Sequence, residues 1–156
     1  MITVTRIDTC EDIRAARAIR HEVFVLEQGV PLILEIDARD EDAIQVLMRA
    51  DDTPIGTGRL LREAHHPQVV HLGRLAILPA WRGQGLGARL VAGLEAIARE
   101  TLRGDVGEPL ICELSAQEYA LDFYRKQGYE LIGRPRYLDA GIWHHDMRKR
   151  LSEVGQ

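Results

Sequence analysis

Cysteine is scarce, with only Cys10 and Cys112 among 156 residues. Two thiols allow one disulfide at most and make no cross-linked scaffold. Cys112 lies in an apolar run, where a free thiol behaves as a small hydrophobe. No grouping of Cys and His has the spacing of a zinc site. His65-His66 and His144-His145 are adjacent pairs that lack a cysteine or a spaced third ligand, so no metal is expected. A basic excess is missing too. Lys and Arg number 20 against 24 Asp and Glu, a net charge of −4. That balance disfavours nucleic acid, whose phosphates call for positive surface. No apolar stretch reaches the roughly 18 residues that span a bilayer. The opening Met-Ile-Thr-Val-Thr-Arg has no apolar signal core. Together these absences predict no membrane contact and a cytoplasmic location.

What is present is an ordinary globular composition, 46% hydrophobic and 28% charged. A chain of this length supports one domain with a core of its own. No repeat, low-complexity segment or linker divides it, so residues 1–156 are read as a single domain.

Periodicity predicts a strand at 2–7 and one or two helices over 10–27. Ile13, Ala16, Ile19 and Val23 share the inner face of that helical stretch, and Gly29 and Pro31 end it. Residues 35–42 read as an acidic loop. Strands at 43–49 and 55–62 flank the turn residues Asp51-Asp52-Thr53-Pro54. A long apolar strand runs from Val69 to Leu78, with Gly73 marking a bulge or a close backbone approach. After a turn at 79–85 a helix extends to about Arg103. Leu86, Leu90, Leu94, Ile97 and Thr101 point inward, and Glu95 and Arg99 form a pair on the wet face. A short strand at 109–114 precedes a capping box, Ser115-Ala116-Gln117-Glu118, that opens a helix to Gln127. Gly128 follows as its C′ residue, and two strands near 129–134 and 141–148 close the chain. The order predicts a mixed α/β (α+β) domain, antiparallel in its first half, with a βαβ crossover around 69–114.

The most informative segment is Leu75-Ala76-Ile77-Leu78-Pro79-Ala80-Trp81-Arg82-Gly83-Gln84-Gly85-Leu86-Gly87-Ala88. A buried strand ends, glycines turn the chain, and a helix begins. Free amides and the helix dipole make such a turn attractive to an anion. Glycines at 83, 85 and 87 let a bulky anion approach, and Arg82 adds a cation. There is no Lys to complete a P-loop, and the third glycine comes one residue early for a dinucleotide fingerprint.

Arg82, Gly85 and Gly87 also match a spaced motif of the GNAT acetyltransferase superfamily, in which Gln or Arg is followed three residues later by Gly and then by a second small residue. The segment Gln117-Glu118-Tyr119-Ala120-Leu121-Asp122-Phe123-Tyr124-Arg125-Lys126-Gln127-Gly128-Tyr129 resembles that superfamily's downstream signature, with Gln117 in place of the common Asn. The chain is most similar to the ElaA/YjcF-like branch. Arg20-x-x-Val23-Phe24-Val25-x-Glu27-Gln28-x-Val30-Pro31, Glu35-x-Asp37-x-x-Asp40 and Gly141-Ile142-x-His144 carry that likeness.

The resemblance implies a twisted, mostly antiparallel sheet of six to seven strands with about four helices. It implies an N-acetyltransferase with acetyl-CoA as co-substrate, acting on a small-molecule or peptide amine, and a homodimer is among the assemblies it allows. The backbone of Leu75, Ala76 and Ile77 would pair with the pantetheine arm. Arg82, Gly83, Gln84, Gly85, Leu86, Gly87 and Ala88 would hold the pyrophosphate, and Gln117 would contribute to the cofactor site. Tyr124 would be the general acid for the departing thiolate. For the general base, His71 is the candidate. Another base position of the superfamily falls on Cys112, a poor base, and Glu113 beside it faces the opposite side of the sheet. Glu35 and Asp37, with Asp40 nearby, and His144 are the candidates on the acceptor side. Two other readings stand beside this one. Phe24 through Asp40 faintly resembles acyl-homoserine-lactone synthases, and a non-catalytic acetyl-CoA sensor would share the binding motif.

Overall fold

β1 (Ile2–Arg6), β2 (Ile44–Ala50), β3 (Thr53–Arg62), β4 (Val69–Ile77), β5 (Leu110–Gln117), β6 (Glu130–Leu131), β7 (Tyr137–Asp139) and β8 (Ile142–Leu151) build one sheet. They are seen in a computed structural model that describes residues 1–102 and 109–151. The strand order is β1-β2-β3-β4-β5-β8-β6, with β7 also paired to β8. Every pairing is antiparallel except β4 with β5. The helices are α1 (Cys10–Arg20), α2 (Leu32–Glu35), α3 (Leu86–Thr101) and α4 (Leu121–Lys126). None of the described helices is long and apolar enough to cross a membrane.

The mixed, mostly antiparallel architecture is the expected one, with eight strands among the described residues where six to seven were expected. The chain after Gly128 breaks into three pieces. Gly133 has a φ of +90°, and Pro135 has no N–H to give a ladder. The expected strand at 129–134 therefore shrinks to β6, and β7 forms separately.

Alternation along the strands divides the core between two faces. Val46 and Met48 of β2 face α3 and α4, packing with Leu60, Val70, Leu72, Leu90 and Leu94. Leu47 points the other way and packs with Ala76 against Ala16, Ile19 and Val23. α1 is started by Thr9, whose hydroxyl accepts from the Asp12 amide at 3.1 Å. It continues as a π-helical turn, His21–Glu27, in which the Gln28 N–H reaches the Val23 carbonyl at 3.1 Å.

Two local expectations are corrected. Ser115 to Gln117 do not cap a helix; they extend β5, pairing with Asp146, His145 and His144 of β8. The ladder to β8 satisfies three backbone positions, more than a cap can. The Ser115 hydroxyl bonds instead to that of Tyr137, and α4 begins only after a 3₁₀ turn at Glu118–Ala120. Glu95 is not on the wet face. It is 5% exposed, because Tyr129 and β8 cover that side of α3. Its carboxylate accepts from the Tyr129 hydroxyl at 2.9 Å and from Lys149 Nζ at 3.0 and 3.1 Å. Thr101, expected inside, is exposed. α3 ends at Thr101, just short of the end expected near Arg103, a residue outside those described.

Removing one member of a buried charged network strands its partners. Glu95→Ala is therefore expected to cost about 2–4 kcal/mol of stability, read from chemical denaturation. Lys149 is a quarter exposed and can turn toward water, so the upper end of that range is not expected to be exceeded.

Candidate active site

The parallel pairing of β4 with β5 runs from Val69↔Ile111 to Leu72↔Leu114 and stops there. β4 continues to Ile77 and β5 to Gln117 without pairing to each other. A bulge coincides with the parting. Gly73 faces Arg59 and Ala76 faces Thr57, so Arg74 and Leu75 together oppose the single residue Gly58 of β3. Arg74 takes the strain, with a φ of +51° that L residues rarely adopt. The bulge expected at Gly73 is thus present one residue on. Gly58 has no room for a side chain, since a Cβ there would sit 2.7 Å from Leu94 Cδ1. On the side turned from β3, the backbone of Leu75, Ala76 and Ile77 is left without a strand partner.

Beyond β4 the chain makes a 3₁₀ turn at Pro79–Trp81 and then the glycine turn. Gly83 and Gly85 have φ of +80° and +76°, which explains both glycines. Gly85 is the residue before α3 and supplies no side-chain cap. The first amides of the helix, at Leu86, Gly87 and Ala88, therefore carry the free donors and positive dipole end of a 16-residue helix. Gly87 is glycine for another reason: a Cβ would come within 3.1 Å of the Phe123 ring of α4. Arg82 does not stand free beside this turn. Its guanidinium grips both oxygens of Glu27 at 2.5 and 2.7 Å and the Ile77 carbonyl at 2.9 Å. This hydrogen-bonded partner holds the Glu27 carboxyl below the usual carboxylate range. Arg82 fastens the turn to the end of the π-helical segment.

A cavity of about 220 Å³ opens where β4 and β5 part. Among the residues singled out from the sequence, Glu35, Leu75, Gln117, Tyr124 and His144 line it. Tyr124 projects from α4, 9% exposed, packed edge-on against Phe123 and Tyr129. Burial pushes its hydroxyl pKa up. No other described residue hydrogen-bonds that hydroxyl. The Gln117 amide is committed to Gln28 Oε1 at 2.8 Å. His71 is not among the lining residues. It stands on the other face from Val70 and Leu72, with Nε2 3.1 Å from Glu63 and 3.7 Å from Glu113. Cys112 is fully buried, and burial drives its thiol up to about 12, so it carries no thiolate to act as base or nucleophile.

A family model of the acetyltransferase (GNAT) domain matches residues 12–151. The chain belongs to the GNAT acetyltransferase family. It is an acyltransferase of the ElaA/YjcF-like branch. It is 32% identical to the uncharacterised N-acetyltransferase YjcF of Bacillus subtilis over 139 residues, 89% of this chain and 93% of that one. An acyl-CoA N-acyltransferase from Pseudomonas aeruginosa shares its structure with a TM-score of 0.78 and 30% identity, over 96% of this chain and 98% of the other. Escherichia coli ElaA shares the fold with a TM-score of 0.80 at 24% identity, over 96% and 99% of the two chains.

In this GNAT domain the acidic segment is not a solvated loop. Glu35 is 5% exposed and meets Arg20 Nε at 2.5 Å. Asp40 takes both Nη1 of Arg20, at 2.9 Å, and Nη1 of Arg59, also at 2.9 Å. Asp37 receives a two-pronged grip from Arg59 at 2.8 and 2.9 Å. Arg74 adds a contact to Asp37 at 3.3 Å and donates to the Leu34 and Glu35 carbonyls. The carboxylates expected to hold a substrate amine are therefore occupied by arginines, and Asp37 does not line the cavity. Arg59 and Arg74, which sequence reasoning passed over, build this wall with Arg20, which was quoted only for the branch likeness. The signal was there in the form of Arg59 and Arg74 inside apolar strands, since a buried guanidinium requires a carboxylate partner.

The Arg59 grip holds the Asp37 carboxyl at about 2, below its usual value of about 3.9. A depressed folded pKa stabilises the fold above the unfolded value and ceases to do so as pH falls through the folded one. Asp37→Asn should cost about 1 kcal/mol at pH 7, after allowance for a partly solvated pair. The gap to the parent should close between about pH 4 and pH 2, as read from denaturation midpoints.

Proposed function

We propose that this GNAT domain transfers the acetyl group of acetyl-CoA to the primary amine of a small molecule or peptide. The carrying observation is Tyr124, a buried tyrosine at the wall of the cavity where β4 leaves β5, whose hydroxyl no other described residue hydrogen-bonds.

The residues fit the co-substrate. The pantetheine arm carries amides, and the edge of Leu75 to Ile77 that has no strand partner offers backbone groups to match them, apart from the Ile77 carbonyl that Arg82 engages. The diphosphate suits the Gly83–Ala88 turn, where free helix amides and positive-φ glycines leave the backbone bare. Arg82 contributes by fixing that turn through Glu27 rather than as a loose cation. The cavity is below the roughly 300–1,000 Å³ of pockets that enclose a drug-sized ligand. It suits the reacting ends alone, with the remainder of a long co-substrate lying along β4 and the turn.

An amine attacking the thioester carbonyl carbon forms a C–N bond, and the C–S bond then breaks. The departing sulfur gains negative charge beside Tyr124, whose ring is packed edge-on against Phe123 and Tyr129. Tyr124 is held protonated there by burial and can donate its hydrogen to that sulfur. The arginine-filled acidic segment supports the acceptor side as a rigid wall. Glu35 and Asp37 act in this reading by holding Arg20, Arg59 and Arg74 rather than by touching the amine.

The test is release of free CoA from acetyl-CoA over a panel of amines. Tyr124→Phe keeps the ring and removes only the hydroxyl. It is expected to bind acetyl-CoA as the parent does while kcat drops by roughly 10²–10⁴. Full turnover by the variant would assign the acid role to another group. Calorimetry showing no acetyl-CoA binding by the parent protein would refute the function itself.

A further inference from the structure

One histidine that lines the cavity is held in a single tautomer by its neighbours. His144 stands on β8 opposite Gln117 of β5 and is 8% exposed. Its Nδ1 lies 2.7 Å from the Ile142 carbonyl oxygen. A carbonyl oxygen only accepts, so Nδ1 carries the hydrogen and donates it. In the neutral ring Nε2 is then a bare lone pair. The face of the ring stacks on Tyr137, with centroids 6.0 Å apart and planes at 20°. Tyr137 is itself anchored, for its hydroxyl donates to Asp146 Oδ1 at 2.7 Å and also bonds to the Ser115 hydroxyl. Three strands thus set the position and tautomer of one imidazole. Its neighbour His145 is used differently, with Nε2 3.1 Å from Glu118 and no place in the cavity lining.

The other ionisable groups that line the cavity are poorer acceptors of a proton. Glu35 and Arg74 come from α2 and β4 and are tied into the arginine cluster. Tyr119, from the 3₁₀ turn, and Tyr124, from α4, are phenols. Asp139 of β7 lines the cavity from an exposed position, in no ion pair with a described residue. A carboxylate at the rim suits drawing in a cationic amine. His71 stands outside the cavity between two carboxylates.

We propose that His144 is the general base of the acetyl transfer, taking the proton of the attacking amine on Nε2. The assignment rests on the acetyltransferase reading above. As the amine nitrogen bonds to the thioester carbonyl carbon it becomes positively charged, and its proton passes to His144. The C–S bond then breaks, with the electron pair going to sulfur, and the sulfur takes the Tyr124 hydrogen. The imidazolium and the phenoxide return to rest by exchange with water, leaving an amide and CoA.

Three measurements test this. Long-range proton–nitrogen NMR of the free protein should show His144 protonated on Nδ1 in its neutral form. His144→Gln should leave acetyl-CoA affinity, measured by calorimetry, within about twofold. It should lower kcat/KM for the acceptor by roughly 10²–10⁴ near neutral pH and remove the acid limb of that pH profile. His144→Ala should recover part of its rate in added imidazole, which a merely structural histidine would not allow. An Nε2–H tautomer, or an acid limb retained by His144→Gln, would overturn the assignment while leaving the acetyltransferase reading intact. A parent protein that binds acetyl-CoA but turns over no amine, with Nε2 bare, would instead overturn the catalytic reading as a whole.

Discussion

The acetyl transfer proposed for this protein depends on one break in a ladder of backbone hydrogen bonds. β4 and β5 pair in parallel for four residues and then separate after Leu72 and Leu114. Parallel strands in a continuous sheet leave no polar backbone for a ligand. Here the strands part inside the domain, so the free edges lie within the fold rather than at its rim. The bulge at Arg74 and Leu75 is the local cause, since an extra residue bends a strand and increases its twist. Gly58 permits it from the β3 side and Leu94 of α3 packs beneath. α4 then places the Tyr124 hydroxyl in the gap.

A gap of this kind needs walls that do not collapse, and buried charge supplies one of them. Arg20 is 1% exposed, a position no guanidinium holds without partners. Burial alone would raise the pKa of Asp40, but the grip of Arg20 and then Arg59 outweighs it, and the net direction is down. Hydrophobic contacts tolerate sliding, whereas the paired arginines fix distance and direction together. Arg74 ties its positive-φ backbone to the same cluster. The bulge that opens the cleft and the segment that walls it are thereby one mechanical unit. The Glu95, Tyr129 and Lys149 network does a parallel task, fastening α3 to β8.

The parts of the fold written in local pattern were legible in the sequence. Strand alternation, the glycine turn before α3 and Gly128 after α4 all appeared as read, because each depends on residues close in the chain. The π-helical turn lay within the expected helical stretch. Partnerships made across long separations were not legible. Glu95 fits an i,i+4 surface pair with Arg99 until Tyr129 and Lys149 arrive from 34 and 54 residues away. Ser115 to Glu118 has the composition of a capping box, yet the ladder to β8 claims it. Tyr124, singled out through its motif, lines the cavity, whereas His71, chosen by strand position alone, stands outside it between Glu63 and Glu113. The acidic segment was seen as charge without the arginines that neutralise it.

In the proposed reaction a buried phenol is an odd choice for an acid, and the setting bears on the difficulty. In water a phenol near 10 would give up its proton to a thiolate near 8.5 only uphill, by about 2 kcal/mol. Burial drives the Tyr124 hydroxyl further up, which taken alone worsens the mismatch. The thiolate, however, forms in the same surroundings and is subject to the same desolvation. Cys112, in the core that also contains Tyr124, shows the direction of that effect, since burial drives its thiol up. In the proposed reaction a sulfur leaving beside Tyr124 is a stronger base the more fully it is shielded from water. The gap to the phenol narrows, and a hydrogen bond from Tyr124 to the nascent thiolate strengthens as the two proton affinities converge. The requirement is only that the sulfur be shielded from water when the C–S bond breaks. Phe123 and Tyr129, packed edge-on to Tyr124, shield one side of its ring, so in the proposed reaction the packing that positions the phenol also favours transfer of its proton.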